Sequence, residues 1–336
     1  MYSNRSAGRS NVMSIGLIRW RVGALVAVIA CVLPASAQSQ EVTRRAVDIY
    51  SDGTRLAGDI WFPAGLGESE KAPTILLAHG WGGLKSHLNG SYAPAFAAAG
   101  YIVLAFDYRG WGESDSRLVI VGDQPEPDEN GHARVDVQVI REVVDPLDQL
   151  EDIRSALNFL EGEPQVDMER LGIWGSSFGG GLVVMTAIHD PRVKVVVSQV
   201  GAMNGRLSAE VRAGGLEAVH KREIQRARGE APPVPQGEDV VEGLDGTPYF
   251  SQFARYAPVD EVDGLNVPTL LIDAGNENLF DITQHSGLVY ERIKDRIPSR
   301  YHIEPGIEHY GIYGERFPQS VELALEWYDQ YLKPVR

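Results

Sequence analysis

Ser177 stands in the run Gly175-Ser176-Ser177-Phe178-Gly179-Gly180-Gly181, which follows the apolar residues 171–174 (LGIW) and precedes a helical run to about Ile188. A serine with glycine at both second neighbours can sit on a strained strand-to-helix turn, where larger side chains would clash. Such a turn lifts the hydroxyl clear of a sheet and sets it at a helix N-terminus, whose dipole favours developing negative charge. The chemistry this suits is nucleophilic attack on a carbonyl. Acyl transfer passes through a tetrahedral oxyanion and needs hydrogen-bond donors already in place. A second glycine-rich turn, His79-Gly80-Trp81-Gly82-Gly83, ends the apolar run 74–78, and the backbone N–H groups of Trp81 and Phe178 are the expected donors. His79 reads as a hydrogen-bonder within its turn rather than as a base.

Three segments in chain order resemble landmarks of the α/β-hydrolase family: His79-Gly80-Trp81-Gly82, then Phe106-Asp107-Tyr108-Arg109-Gly110-Trp111-Gly112-Glu113-Ser114, then the turn around Ser177. The resemblance covers essentially residues 41–336. It implies a triad in the order Ser, acid, His, with the acid after the strand 269–272 and the His after the last strand. It also implies that Asp107 and Arg109 are structural. His309, between the last strand and a terminal helix at 318–332, then stands where the family's base sits. His302 falls inside a strand and His285 inside a helix, while His87, His132, His189 and His220 come too early. For the acid, the stretch from Asp273 to Asp281 offers three carboxylates. A register counted from Gly275 lands on Asn278, which is no carboxylate. Counted from Ala274 it lands on Glu277, with Leu279 and Phe280 as an apolar exit and Asp281 as the N-cap of a helix at 282–293. Glu277 is the expected acid, and Asp273 and Asp281 are its rivals. No metal and no cofactor is expected.

The elements that must hold these residues follow from the hydrophobic pattern. Residues 41–51 and 54–62 are β-rich and joined by Asp52-Gly53, a hairpin signal. Beyond them, the short apolar runs 74–78, 101–106, 171–174, 193–198, 269–272 and 300–303 read as strands, alternating with amphipathic stretches. The clearest helix spans 146–160, where Leu147, Leu150, Ile153, Leu157 and Leu160 recur every three or four residues. This predicts an α/β class, the α/β-hydrolase fold: a mainly parallel central sheet with helices on both faces, edged by the antiparallel hairpin. Two stretches interrupt the rhythm. Residues 117–145 are acidic and turn-rich, lack the ligand spacing of a calcium loop, and are expected as a solvated loop. Residues 202–262 are expected to form a helical cap insertion. Its aromatic patch (Tyr249, Phe250, Phe253, Tyr256) would face an apolar acyl group or pack the cap onto the core.

The chain has 336 residues, 43% hydrophobic and 23% charged, which excludes disordered and collagen-like classes and suits one large core with an insertion. Its 46 acidic against 31 basic residues give a net charge of −15, and no cluster of Lys and Arg with aromatics offers a nucleic-acid face. Residues 1–37 carry Arg5, Arg9, Arg19 and Arg21 and no acid, then an apolar run at 22–33 and Pro34-Ala35-Ser36-Ala37. That is the layout of a secretory signal peptide cleaved after Ala37. The apolar run is too short for a stable membrane span, which needs about 20 residues; a lipoprotein site at Cys31 is the alternative. Cleavage would remove the only cysteine, so the exported chain would hold no thiol. The expectation is a secreted or periplasmic serine hydrolase, residues 38–336, cleaving a small-molecule carboxylic ester through an acyl-enzyme. A peptidase of the Xaa-Pro dipeptidyl type and an acyltransferase share the triad and stand as alternatives. A non-catalytic binding protein on the same scaffold would be favoured by loss of a catalytic position, whereas Ser177 and His309 are both present. Oligomeric state carries no signal.

Overall fold

Apolar residues at consecutive rather than alternate positions make a sheet that must be covered twice. The computed structural model describes residues 41–238 and 240–334. The expected signal peptide at 1–37, with Cys31, lies outside the described residues. Strand β1 (Thr43–Ser51) turns through Asp52 and Gly53, at φ 47° and 81°, into the antiparallel β2 (Thr54–Phe62). Positive φ at both turn residues matches the twist of the flanking strands, and Asp-Gly tolerates it. Then come β3 (Ala72–Ala78), β4 (Ile102–Phe106), β5 (Val166–Ser176), β6 (Val195–Gln199), β7 (Thr269–Ala274) and β8 (Ser299–Glu304). They form one eight-stranded sheet in the order β1-β2-β4-β3-β5-β6-β7-β8. Only the β1–β2 and β2–β4 pairings are antiparallel.

Along β3, Leu76 and Ala78 enter one core cluster and Ile75 and Leu77 the other, all four fully buried. Each such leucine or isoleucine contributes roughly 2 kcal/mol by leaving water. The first face is covered by the helices Pro146–Gly162 and Phe178–His189, the second by Tyr92–Ala98 and Phe317–Leu332. The helix Pro146–Gly162 starts where Asp145 accepts the Leu147 and Asp148 N–H groups and Pro146 fills the first turn, which needs no N–H there. The fold is the α/β-hydrolase architecture, a mainly parallel sheet with helices on both faces.

The structure departs from the sequence expectations in two places, and in a third, the aromatic patch, it selects one of two alternatives. Residues 117–145 are not a plain loop: Arg117–Val121 pairs antiparallel with Asp136–Ile140, and Val143–Val144 pairs in parallel with Thr247–Pro248. The β-branched runs RLVIV and DVQVI drive this pairing across the acidic turn, whose composition masks them. The helix expected at 282–293 begins as a 3₁₀ turn, Ile282–Gln284, and continues as Ser286–Ile293. His285 breaks it at φ −126° and ψ −112°, because its Nδ1 accepts the Met203 N–H at 2.8 Å inside the protein. In the aromatic patch, Tyr256 is fully buried and only Phe253 lines the cleft beside Ser177. The patch therefore serves mainly to seat residues 202–262 on the core: Phe253 stacks on Phe178 at 5.1 Å, and Tyr256 meets Phe178 edge-on at 5.5 Å. Residues 202–262 carry the helices Gly205–Arg212 and Leu216–Ala227. Among the described residues no helix is long and apolar enough to cross a membrane.

Candidate active site

The turn after β5 is as tight as its glycines suggest. A Cβ on Gly175 would lie 2.2 Å from the Gly179 carbonyl oxygen, and one on Gly179 would lie 2.3 Å from the Ala78 carbonyl oxygen. Between them Ser177 sits at φ 56° and ψ −125°, a conformation that costs a non-glycine residue roughly 1–3 kcal/mol and is held here by its surroundings. Its N–H donates to the Gln199 carbonyl at 2.8 Å, and its carbonyl accepts from Gly180 and Ala202. The strain aims Oγ out of the sheet at the head of the helix Phe178–His189.

Ser177 Oγ lies 3.0 Å from His309 Nε2, and His309 Nδ1 lies 2.8 Å from Glu277 Oε2. The His309 and Glu277 side chains are 1% and 2% exposed. An ionised carboxylate can only accept, so Nδ1 carries the proton and donates to Glu277; Nε2 is left to accept from the serine hydroxyl. Glu277 Oε1 accepts the Leu279 N–H at 2.9 Å, fixing the carboxylate from its own loop. His309 rides on the 3₁₀ segment His309–Tyr313, where Phe280 meets its ring edge-on at 5.8 Å.

The two rival carboxylates are engaged elsewhere. Asp281 is exposed and caps the 3₁₀ turn, accepting from the Thr283 N–H and hydroxyl. Asp273 is fully buried at the end of β7, where it accepts from Ser286 Oγ at 3.1 Å and Tyr301 Oη at 2.7 Å. Burial pushes its carboxyl from 3.8 up to about 7, against the hydrogen bonds from Tyr301 and Ser286. A carboxyl raised in the folded state stabilises the protein fully below its unfolded value, and that contribution is lost as pH rises toward 7. Melts of wild type and Asp273→Asn from pH 4 to pH 8 should therefore converge at the acid end, with the wild type falling behind the variant as pH rises. Parallel curves across this range would show that burial does not govern Asp273.

The Trp81 and Phe178 N–H groups donate to nothing among the described residues, which leaves both unspent next to Ser177. Gly80 permits the approach, since a Cβ there would lie 2.8 Å from the Ser177 Cβ. His79 is buried with Nδ1 3.0 Å from the Gly80 carbonyl, and burial lowers it to about 4, so it stays neutral inside its turn. Asp107 accepts the Lys85 and Glu113 N–H groups, and Arg109 grips the buried Asp152 at 2.6 Å. Both are braces rather than reacting groups.

Two contacts escaped the sequence reading. Trp81 Nε1 donates to the Asp245 carbonyl at 2.9 Å, tying the turn that bears it to residues 202–262; a backbone acceptor leaves no trace in sequence. Tyr313 Oη lies 2.7 Å from Ser176 Oγ, joining the His309 segment to β5; Ser176 in turn accepts from Gln199. Two clefts flank Ser177. A small one of about 50 Å³ is lined by Trp81, Phe178, Phe253, Leu279 and Phe280, with Arg212 among its polar residues. A larger one of about 540 Å³ is lined by His309, Tyr310, Tyr313, Trp174 and Phe317.

Residues 52–227 match the family model of the X-Pro dipeptidyl-peptidases (S15 family). An uncharacterised 31.7 kDa Escherichia coli protein from the traX-finO intergenic region is 28% identical over 291 residues, spanning 78% of this chain and 92% of the relative. The crystal structure of a hypothetical Pseudomonas aeruginosa protein, PA2218, superposes with a TM-score of 0.63 at 23% identity, covering 89% of this chain and 96% of that one. The structure of Est1E from Butyrivibrio proteoclasticus with ferulic acid bound superposes with a TM-score of 0.63 at 17% identity, over 86% of this chain and all of that one.

Proposed function

The chain belongs to the X-Pro dipeptidyl-peptidase (S15) family of α/β-hydrolases, and from that premise we propose that it is a secreted serine hydrolase cleaving carboxylic esters. The observation that carries the reading is the unbroken hydrogen-bond relay from Glu277 through His309 to Ser177, beside two unspent backbone donors. In this reading His309 Nε2 takes the Ser177 proton as Oγ attacks the ester carbonyl. Glu277 holds the imidazole in the productive tautomer and stabilises its cation. The Trp81 and Phe178 N–H groups receive the oxyanion, where a single donor is worth about a hundredfold or more in rate. The imidazolium protonates the departing alkoxide, the C–O bond breaks, and water activated by His309 releases the acid from Ser177. Export by the segment 1–37 is part of the proposal, supported by its basic, apolar and small-residue layout.

The leaving group must reach the proton on His309, and of the two clefts only the larger one is lined by that residue. The smaller cleft, beside Phe178 and Trp81, is then the acyl side. A dipeptidyl substrate carries a free ammonium on its acyl half, yet among the described residues no carboxylate lines the acyl cleft. Burying that ammonium unpaired is costly, which favours esters. The family match keeps proline peptides as the second reading. Purified protein should hydrolyse p-nitrophenyl esters with a kcat/KM at least tenfold above that for any Xaa-Pro p-nitroanilide. Faster cleavage of the anilides would reverse the ranking.

A further inference from the structure

Resting on the ester-hydrolase reading, we infer that the acyl cleft selects short acyl chains ending in an anionic group, with Arg212 as the specificity-determining residue. Arg212 ends the helix Gly205–Arg212 and lines the same cleft as Ser177. One of its nitrogens, Nη2, donates to the Leu279 carbonyl at 2.9 Å, which anchors the guanidinium at the cleft wall formed by Leu279 and Phe280. The chain is acidic overall, at −15, and many of its arginines find carboxylates, as Arg109 does with Asp152, Arg192 with Asp190 and Arg206 with Asp260, whereas Arg141, Arg255 and Arg296 bond carbonyls or neutral side-chain oxygens away from the acyl cleft. Among the described residues Arg212 has no carboxylate within salt-bridge distance, and the cleft it lines contains none.

A guanidinium presents its remaining N–H donors in a rigid fork that matches a carboxylate. Asn204 and Ser208 line the same cleft. Asn204 spends its Oδ1 on the Leu207 N–H and keeps its amide hydrogens for another acceptor. Polar donors without an acidic partner thus meet an apolar throat of Phe253, Leu279 and Phe280. A ligand that satisfies both has a short methylene chain with an anion at its far end. Because the net charge of the protein repels anions at long range, recognition falls to this local cation. The alcohol half, directed to the larger aromatic cleft, carries no such requirement.

The test compares benzyl hemiglutarate with benzyl pentanoate, which share an alcohol and a five-carbon acyl chain and differ in the terminal carboxylate. Benzyl alcohol release is followed chromatographically. Wild type should prefer the hemiglutarate, and Arg212→Met should lower the ratio of the two kcat/KM values about tenfold, the size of one solvent-accessible charge-assisted contact. Arg212→Lys should recover part of that ratio. A wild type that hydrolyses pentanoate at least as well as hemiglutarate, or an Arg212→Met ratio equal to that of wild type, would overturn the inference while leaving the ester reading standing. Calorimetry with benzyl hemiglutarate separates the reverse case. Tight binding to Ser177→Ala that weakens about tenfold in Ser177→Ala/Arg212→Met, from an enzyme that cleaves neither ester, would keep the anion site and discard the reaction. No binding and no cleavage would remove both.

Discussion

Ser177→Ala is expected to lower ester turnover by about 10⁴- to 10⁶-fold, because nucleophile and base act as a unit and little remains when one is lost. The fold should survive. Apart from its contact with His309 the Ser177 hydroxyl has no partner among the described residues, and the backbone bonds that hold φ at 56° involve Gln199, Gly180 and Ala202 rather than the side chain. The thermal midpoint should therefore move by only a degree or two in a domain of this size. Ser176→Ala is the informative control. Ser176 Oγ contacts Tyr313 Oη and accepts from Gln199, so its loss leaves buried polar groups short of a partner and costs roughly 1–3 kcal/mol of stability. Its activity should fall far less. Turnover of Ser177→Ala within tenfold of wild type would remove it as nucleophile, whatever the behaviour of Ser176→Ala.

The parts of this molecule legible in its sequence are those where local chemistry leaves little choice. Consecutive apolar residues such as Ile75, Leu76 and Leu77 require cover on both faces, and that already implies a parallel sheet between helix layers. Gly175 and Gly179 announce the tight turn because any side chain there meets a carbonyl oxygen. The hairpin inside 117–140 was hidden because an acidic turn dominates the composition while pairing depends on two five-residue strands. The break at His285 was hidden because its cause, the Met203 N–H, lies 82 residues away. The Trp81 contact with Asp245 spans 164 residues and uses a backbone oxygen, so no residue type betrays it. Arg212 looks in sequence like any arginine on a polar helix; its place on the cleft wall, with no carboxylate beside it among the described residues, sets it apart.

Glu277 belongs between these cases, and it carries the second large expected effect. Spacing alone left three carboxylates open, since one residue of register separates Glu277 from Asn278. In the fold the loop after β7 brings Glu277 Oε2 within 2.8 Å of His309 Nδ1, while Asn278 contributes Oδ1 to the His309 N–H at 3.4 Å and Nδ2 to Glu308. The extra methylene of glutamate lets a loop anchored at Leu279 span the distance to the ring. Glu277→Gln is nearly isosteric, so packing should hold. Its amide can present an N–H to Nδ1, which turns that nitrogen into an acceptor and moves the ring proton to Nε2, where it can no longer accept from Ser177. Wrong-tautomer trapping of this kind costs about ten-thousandfold in kcat, and a fall of that order with a small change in KM is the expected result. Asp281→Asn should stay within a few-fold of wild type and melt close to it, because asparagine caps nearly as well as aspartate. Asp273→Asn should retain turnover and alter the pH dependence of melting instead. Assays of the three variants beside their melts decide the matter. An inactive, normally melting Asp281→Asn or Asp273→Asn alongside an active Glu277→Gln would show that the relay seen at His309 is not the one that works.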